Sequence, residues 1–298
     1  FYVYKKKSRD YDYITKFEGE YLNGKKWNGK CYDADGNFIN EIKEGKGYIK
    51  EYENIINKIK FEGEYLNGER NGKRKDYYLY GELMFEGEYF NGKKWNGKGY
   101  NLKKKCIYEI KNGKGLVKVL RLDGTELVGE YEYIHGEKNG KGREYEYPTT
   151  LIFEGEYLNG KRNGKGKEYY RGNLLFEGEY LYGYRLNGKE YFLNGKLEYE
   201  GEYLYNKKYN GKGYNENNKI IYTLKNGNGK IKEYLYGKLS FEGEYLNGKR
   251  NGKGKEYVFD ELSFEGEYLN GKRNGKGKEF NNGLICYEGE YVNGRRKY

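Results

Sequence analysis

Few residues of this chain have a type and spacing that could do chemistry. Its one histidine, His135, precedes Gly136 in a turn, and Ser8, Ser240 and Ser263 lie in no Gly-x-Ser-x-Gly context. A general base and an activated nucleophile therefore have no partners to work with. The stretch "GKKWNGKC", Gly24 to Cys31, lacks the closing Ser/Thr of a phosphate loop, and its letters recur as "GKKWNGKG" from Gly92. Neither copy is followed by the helical pattern whose N-terminus would hold an anion. In "DADGN", Asp33 to Asn37, the glycine stands one position early for a calcium loop and no Glu follows at ligand spacing, so a D-G turn is the better account. Cys31, Cys106 and Cys286 are odd in number, far apart and free of CxxC spacing, which argues against a disulfide framework or a zinc site and for a reducing compartment. The expectation is a chain without catalytic residues, metal or cofactor.

What remains is surface, and the elements that present it are repeats. "FEGEYLNGKRNGKGKEY" recurs almost letter for letter at Phe153, Phe241 and Phe264, and with edits at Phe17, Phe61, Phe85, Phe176, Tyr199 and Tyr287. Leu127 opens a drifted copy, and short degenerate units begin at Phe38, Cys106 and Ile220. Together these make thirteen units of 21 to 26 residues, the last truncated. Each short unit follows a variant with a longer turn, marked by Trp27, Trp95 and Tyr209. The division expected is a lead-in strand or partial repeat over 1–16 and one continuous array over 17–298. The chain begins at Phe1 without Met and stops inside a repeat, as an excerpt of a longer protein would.

Composition pulls in two directions. Mean hydropathy is -1.18, and 47 glycines with 35% charged residues point toward disorder, whereas 40 tyrosines and 18% aromatics point away from it. The net charge of +11 is a modest excess of 57 basic over 46 acidic residues. No apolar run approaches the roughly 20 residues of a membrane-spanning helix.

Within "FEGEY", Phe, Gly and Tyr share one parity and the glutamates the other, which is strand spacing. "GKGKEY" alternates likewise, and "NGKRNG" between them reads as turn chemistry. Asn112-Gly113 and Asn226-Gly227, between alternating runs, predict two-residue hairpins. A glycine in mid-strand weakens the strand unless an aromatic ring covers it, and an isolated hairpin is unstable, so the copies must stack. The fold expected is all-β: an elongated single-layer antiparallel meander of stacked hairpins, essentially without helix.

This pattern resembles the MORN repeat (membrane occupation and recognition nexus), whose copies run Tyr-x-Gly-x-aromatic, a basic Asn-Gly turn, then Gly-x-Gly. The resemblance covers nearly the whole chain from Phe17, although the short units lack the first Gly. It implies a hairpin meander without catalysis of its own. It also implies scaffolding at cytoskeletal or membrane-junction structures, a partner helix along an aromatic groove, dimerisation in some members and lipid binding.

Two surfaces follow. The aromatic-glycine face comprises Phe17, Tyr21, Phe61, Tyr65, Phe85, Tyr89, Phe153, Tyr157, Phe176, Tyr180, Tyr199, Tyr203, Phe241, Tyr245, Phe264 and Tyr268, together with the turn aromatics Trp27, Trp95 and Tyr209. Self-packing over glycine is its plain role, and capture of a protein segment, expected to be helical, is its functional one. The second surface is a basic edge at the turn tips: Lys25, Lys26, Lys93, Lys94, Lys161, Arg162, Lys207, Lys208, Lys249, Arg250, Lys272, Arg273, Arg295 and Arg296. Solvated edge protection is the plain reading there, and contact with anionic lipid or an acidic partner the functional one. Nucleic acid is disfavoured because the strand glutamates repel phosphate and no RNA-binding motif occurs. A cytoplasmic protein, associated with cytoskeleton or membrane, is expected.

Overall fold

The computed structural model describes residues 17–33, 35–53, 58–146, 149–235 and 237–297. The lead-in expected over 1–16 lies outside them. Two compact units form, one holding residues up to Thr150 with Tyr157–Gly160, the other Leu151–Glu156 with Lys161 onward.

In the first unit the strands are β1 (Phe17–Leu22), β2 (Lys25–Tyr32), β3 (Phe38–Ile42), β4 (Gly47–Tyr52), β5 (Ile59–Leu66), β6 (Glu69–Tyr77), β7 (Leu83–Phe90), β8 (Lys93–Tyr100), β9 (Cys106–Ile110), β10 (Gly115–Leu120), β11 (Leu127–Ile134) and β12 (Glu137–Glu146). Residues of both units lie on β13 (Thr150–Leu158). The second unit continues with β14 (Lys161–Tyr170), β15 (Asn173–Leu181), β16 (Tyr184–Tyr191), β17 (Leu197–Leu204), β18 (Lys207–Tyr214), β19 (Ile220–Leu224), β20 (Gly229–Leu235), β21 (Lys238–Leu246), β22 (Lys249–Val258), β23 (Glu261–Leu269), β24 (Lys272–Asn281), β25 (Leu284–Val292) and β26 (Arg295–Arg296). No helix occurs among the described residues.

Strands pair antiparallel with their sequence neighbours, because connections of two to six residues leave no room for a crossover. The pairing is interrupted only inside the short units. Between β3 and β4, β9 and β10, and β19 and β20, the ladder shrinks to single bridges: Lys43 with Lys46, Lys111 with Lys114, and Lys225 with Asn228. The all-β meander expected from the sequence is the fold observed.

One reading is corrected. "NGKRNG" is not a six-residue turn. At Asn23-Gly24 the φ angles are 50° and 77°, at Asn270-Gly271 52° and 87°, so Asn-Gly alone makes the turn and the next residue already starts the return strand. The second Asn-Gly belongs to a bulge within that strand. Gly164 and Gly275 hold φ of 91° and 95° there, which lets the following amides of Lys165 and Lys276 donate to Glu156 at 2.8 Å and Glu267 at 3.1 Å. The second glutamate of each such FEGEY thus fixes its own hairpin's bulge. His135 takes the Asn position of one such turn, with φ of 54°.

Candidate functional site

The site is built on a row of glycines. In the second unit Gly243 pairs with Gly254, Gly254 with Gly266, Gly266 with Gly277 and Gly277 with Gly289, forming a stripe of bare backbone across β21 to β25. On one side, rings lie on the stripe. A Cβ at Gly243 or Gly254 would meet the Phe241 ring at 2.7 or 2.6 Å, and one at Gly254 would meet Tyr268 at 3.1 Å. Cover therefore comes both from the phenylalanine two residues earlier on the same strand and from a neighbouring hairpin's tyrosine. The rings meet edge to face: Phe241 and Tyr268 have centroids 5.4 Å apart, Phe264 and Tyr291 5.2 Å.

Cations close this side. Arg250 lies 4.1 Å above Phe241, Arg273 4.0 Å above Phe264, Arg185 4.3 Å above Phe176 and Arg162 3.9 Å above Phe153. In the first unit Arg70 covers Phe61 at 4.4 Å, Lys94 covers Phe85 at 4.5 Å and Lys26 covers Phe17 at 5.3 Å. Glutamates on the strand before the ring's own anchor Arg185, Arg250 and Arg273: Glu256 accepts from Arg273 Nη2 at 2.5 Å and from the Tyr268 hydroxyl at 2.7 Å. Burial works against the Glu256 charge, yet the hydrogen bonds and charges of Arg273, Tyr268 and Arg250 outweigh it and hold the carboxyl below its ordinary range. Burial pushes the Tyr268 hydroxyl up, and its bond to Glu256 adds to that.

The aromatic face is consequently packed. Phe61, Phe85, Phe153, Phe176, Tyr199, Phe241 and Phe264 are fully buried, and Tyr89, Tyr157, Tyr180, Tyr203 and Tyr268 nearly so. Phe17, Tyr65 and Tyr245 are half-buried and Tyr21 is exposed. Nor do the basic residues form one edge. Of each adjacent pair the first, Lys25, Lys93, Lys161, Lys207, Lys249, Lys272 or Arg295, is exposed, while the second turns over a ring. Strand alternation sends neighbours to opposite sides, and the shorter turn puts both residues of each pair in a strand.

Trp27, Trp95 and Tyr209 lie in strands and secure the short hairpins. Their carbonyls accept from the tip amides of Gly45 at 2.8 Å, Gly113 at 2.7 Å and Gly227 at 2.7 Å. The indoles of Trp27 and Trp95 sit where a Cβ on Gly45 or Gly113 would come within 2.8 Å.

The reverse side of the glycine stripe is open. Two charged rows flank it in the second unit. Lys232, Glu242, Lys255, Glu265, Lys278 and Glu288 follow one another in register, with ion pairs of 3.1, 3.5 and 3.1 Å between successive pairs. Lys230 opposite Glu244, Lys253 opposite Glu267 and Lys276 opposite Glu290 form the other row. Between them runs a groove of about 1180 Å³ floored by Gly243, Gly254, Gly266, Gly277 and Gly289. The sequence reading missed this groove, although the Gly-over-Gly periodicity was a signal for it.

Among the described residues no cluster of His, Cys, Asp or Glu could hold a metal ion. Asp33 spends its carboxylate on the amides of Asp35 and Asn37, at 2.9 and 2.8 Å, as the D-G turn reading expects. The MORN repeat family model matches residues 61–73, 153–173, 241–257, 264–285 and 287–297, the stretches that build this ladder of ring, glycine and cation. The chain carries MORN repeats at these five stretches. No curated protein matches it. Solved chains similar to this MORN array include one titled "Crystal Structure of TcdB2-TccC3 without hypervariable C-terminal region", at 9% identity and TM-score 0.18, covering 91% of this chain and 16% of that one. Another, "Crystal Structure of TcdB2-TccC3-Cdc42", is 13% identical with TM-score 0.19, covering 81% and 14%. The MORN chain thus spans about a sixth of their length. None of its described helices is long and apolar enough to cross a membrane, there being none.

Proposed function

We propose that this MORN array is a non-enzymatic scaffold that captures a helical protein segment on its glycine stripe. The supporting observation is the open reverse side: a backbone floor between two rows of alternating Lys and Glu, while the ring side of the same glycines is already filled by the chain's own arginines. A helix lying across the strands would set small apolar residues on the glycines and charged residues against both rows, a pairing that fixes register more than it adds affinity. This moves the partner surface from the ring side to its reverse. Glu265→Lys with Glu267→Lys, both on the open side, should abolish capture of the native partner by a folded array. Capture as strong as that of the unaltered chain would sink the reading.

A second reading has its own observation. At the hairpin tips an exposed aliphatic residue stands directly opposite an exposed cation: Leu204 opposite Lys207, Leu246 opposite Lys249, Leu269 opposite Lys272 and Val292 opposite Arg295. Shallow burial of the leucines with lysines at the phosphates is the pattern of a peripheral membrane contact. Co-sedimentation with phosphatidylserine vesicles tests it, and binding indifferent to salt and to anionic lipid content would rule it out.

A further inference from the structure

The lysines that close rings at corresponding positions of the repeat are not equivalent. Lys208 lies 4.9 Å above Tyr199 and forms ion pairs with Glu190 at 2.7 Å and Glu198 at 2.8 Å. Lys26 reaches Glu51 at 3.2 Å. Lys94 occupies the same repeat position 4.5 Å above Phe85, but the two carboxylates are missing. Aligned by repeat, Glu198 corresponds to Met84, and Glu190 corresponds to Asp76, one methylene shorter. Asp76 is itself taken. Arg74 stands where the repeat has a glycine, paired with Gly63 and Gly87, and its guanidinium binds Asp76 while the Tyr89 hydroxyl donates to the other carboxylate oxygen at 2.7 Å. Lys94 is left with a hydrogen bond from Nζ to the Tyr108 hydroxyl at 2.9 Å and with no carboxylate within 4 Å among the described residues.

We infer that Lys94 is a nucleophilic amine that condenses with an aldehyde to form an imine. The ring contacts of Lys94 at 4.5 and 5.5 Å favour the ammonium, but they do not replace a carboxylate, and burial beside the Arg74 cation makes the neutral amine accessible. The groups facing it are Arg74 and Asp76 from β6, Tyr89 from β7, Tyr108 from β9 and, beyond Tyr108, Tyr133 from β11. Burial lowers the Lys94 pKa to about 8, with Asp76 opposing and the Arg74 cation reinforcing that shift. Lys208 is raised well above the ordinary value, because Glu190 and Glu198 with Tyr222 outweigh its burial.

The Nζ lone pair adds to the carbonyl carbon and a proton passes from nitrogen to oxygen, giving a carbinolamine. Its hydroxyl leaves as water with a proton from solvent, and the remaining nitrogen proton returns to solvent, while the Tyr108 hydroxyl accepts from Nζ and orients the amine. Amine and aldehyde thus become imine and one water, with no oxidant or cofactor. The product is neutral, which suits a site where Arg74 and Asp76 already balance. A carbamate from carbon dioxide would instead add an anion beside Asp76, and that site would resist it.

The test treats the full chain with benzaldehyde and cyanoborohydride at pH 7.5 and follows alkylation of each lysine by peptide mass spectrometry. Lys94 should be labelled at least about tenfold faster than Lys208, in line with its lowered pKa. Met84→Glu supplies the missing carboxylate, and Arg74→Gly releases Asp76. Each should bring Lys94 down to the Lys208 rate with the circular dichroism spectrum unchanged. Equal rates at Lys94 and Lys208 in the unaltered chain would overturn the inference, as would a Lys94 rate that Met84→Glu leaves untouched.

Discussion

Arg250 lies 4.1 Å above the Phe241 ring while its Nη2 donates to Glu233 at 2.6 Å, so one side chain joins a ring on β21 to a carboxylate on β20. The hydroxyl of Tyr245 donates to the same carboxylate. Repeated at Arg273, Phe264 and Glu256, this unit links successive hairpins through side chains as well as through the backbone ladder. Replacing Arg250 with Met keeps most of the apolar cover but leaves Glu233 without its cation. It should cost about 2 kcal/mol, from a lost charge-assisted hydrogen bond and ring contact. Arg250→Lys should lose about half of that, since an ammonium cannot match the planar fork. Denaturant unfolding followed by circular dichroism measures both, and a loss under 0.5 kcal/mol for the Met variant would show that the cation does not join the hairpins.

Glycines of the stripe and glycines of the turns should respond to alanine for different reasons. A Cβ at Gly277 meets the Phe264 ring at 2.6 Å and Tyr291 at 3.2 Å, so Gly277→Ala should destabilise by about 1–3 kcal/mol through overpacking. At Gly271 nothing lies within 4 Å, but φ is +87°, so Gly271→Ala should cost about 1–2 kcal/mol through backbone strain alone. Phe264→Ala, which uncovers both Gly266 and Gly277, should cost about 3–5 kcal/mol. Shortening the ring separates the causes: Phe264→Leu should partly rescue Gly277→Ala and leave Gly271→Ala unrescued.

How much of this was legible in the sequence depends on parity. The period, the Asn-Gly turns and the role of aromatic rings over glycine follow from alternation and turn chemistry at residues such as Phe241, Gly243 and Asn270. The fate of the basic pairs did not follow. While "NGKRNG" is read as turn, Lys249 and Arg250 share one tip; once Asn247-Gly248 alone turns the chain, strand alternation places Lys249 outside and Arg250 over Phe241. The second Gly of the motif carries the ambiguity, because a glycine at positive φ serves a bulge as readily as a turn. Trp95 was misplaced for the same reason. The exception at Lys94, by contrast, was visible as letters, since "NGKRKDYY" departs from "NGKGKEYY" at just the two positions that strip Lys94 of its partner.

Stability should fall on both sides of neutrality, for opposite reasons. Burial opposes the charges of Glu51, Glu168 and Glu256, but their Arg, Lys and Tyr partners hold all three below the ordinary carboxyl value. Carboxyls depressed on folding contribute stability that is present above their unfolded value and lost as pH falls through the folded one, so the acid limb begins below the ordinary carboxyl value of 4.5. Burial chiefly raises Tyr65 and Tyr222 to about 12. Groups raised on folding contribute stability that is full below the unfolded value of 10.0 and lost as pH climbs through the folded one. Melting temperature against pH should therefore show a plateau with an acid and an alkaline shoulder. Glu256→Gln should lower the plateau and shrink the acid loss between pH 6 and pH 3; an acid limb of unchanged depth would assign it to other carboxyls.

The two tryptophans give a local probe of the short hairpins. Trp95 accepts the Gly113 amide through its carbonyl and covers Gly113 with its indole, and the Gly113 carbonyl in turn accepts the Gly136 amide at 2.9 Å. Strand β8 and two hairpin tips are thus chained through one glycine, at the place where the ladder between β9 and β10 shrinks to the bridge of Lys111 with Lys114. Trp95→Ala keeps the backbone bond but removes the half-buried indole, and should cost about 2 kcal/mol, below the range for a fully buried aromatic. The loss should be uneven. Amides of Lys111 to Gly115 should lose hydrogen-exchange protection at least tenfold, whereas the ladder from β21 to β25, whose rings and arginines lie in the other unit, should be unchanged. Because both tryptophans belong to the first unit, fluorescence of the Trp27-only variant should report that unit's unfolding while circular dichroism reports the whole chain. Uniform loss of protection across β21 to β25 would show that the indole supports the array as a whole and does not act as a local clamp on the short hairpin.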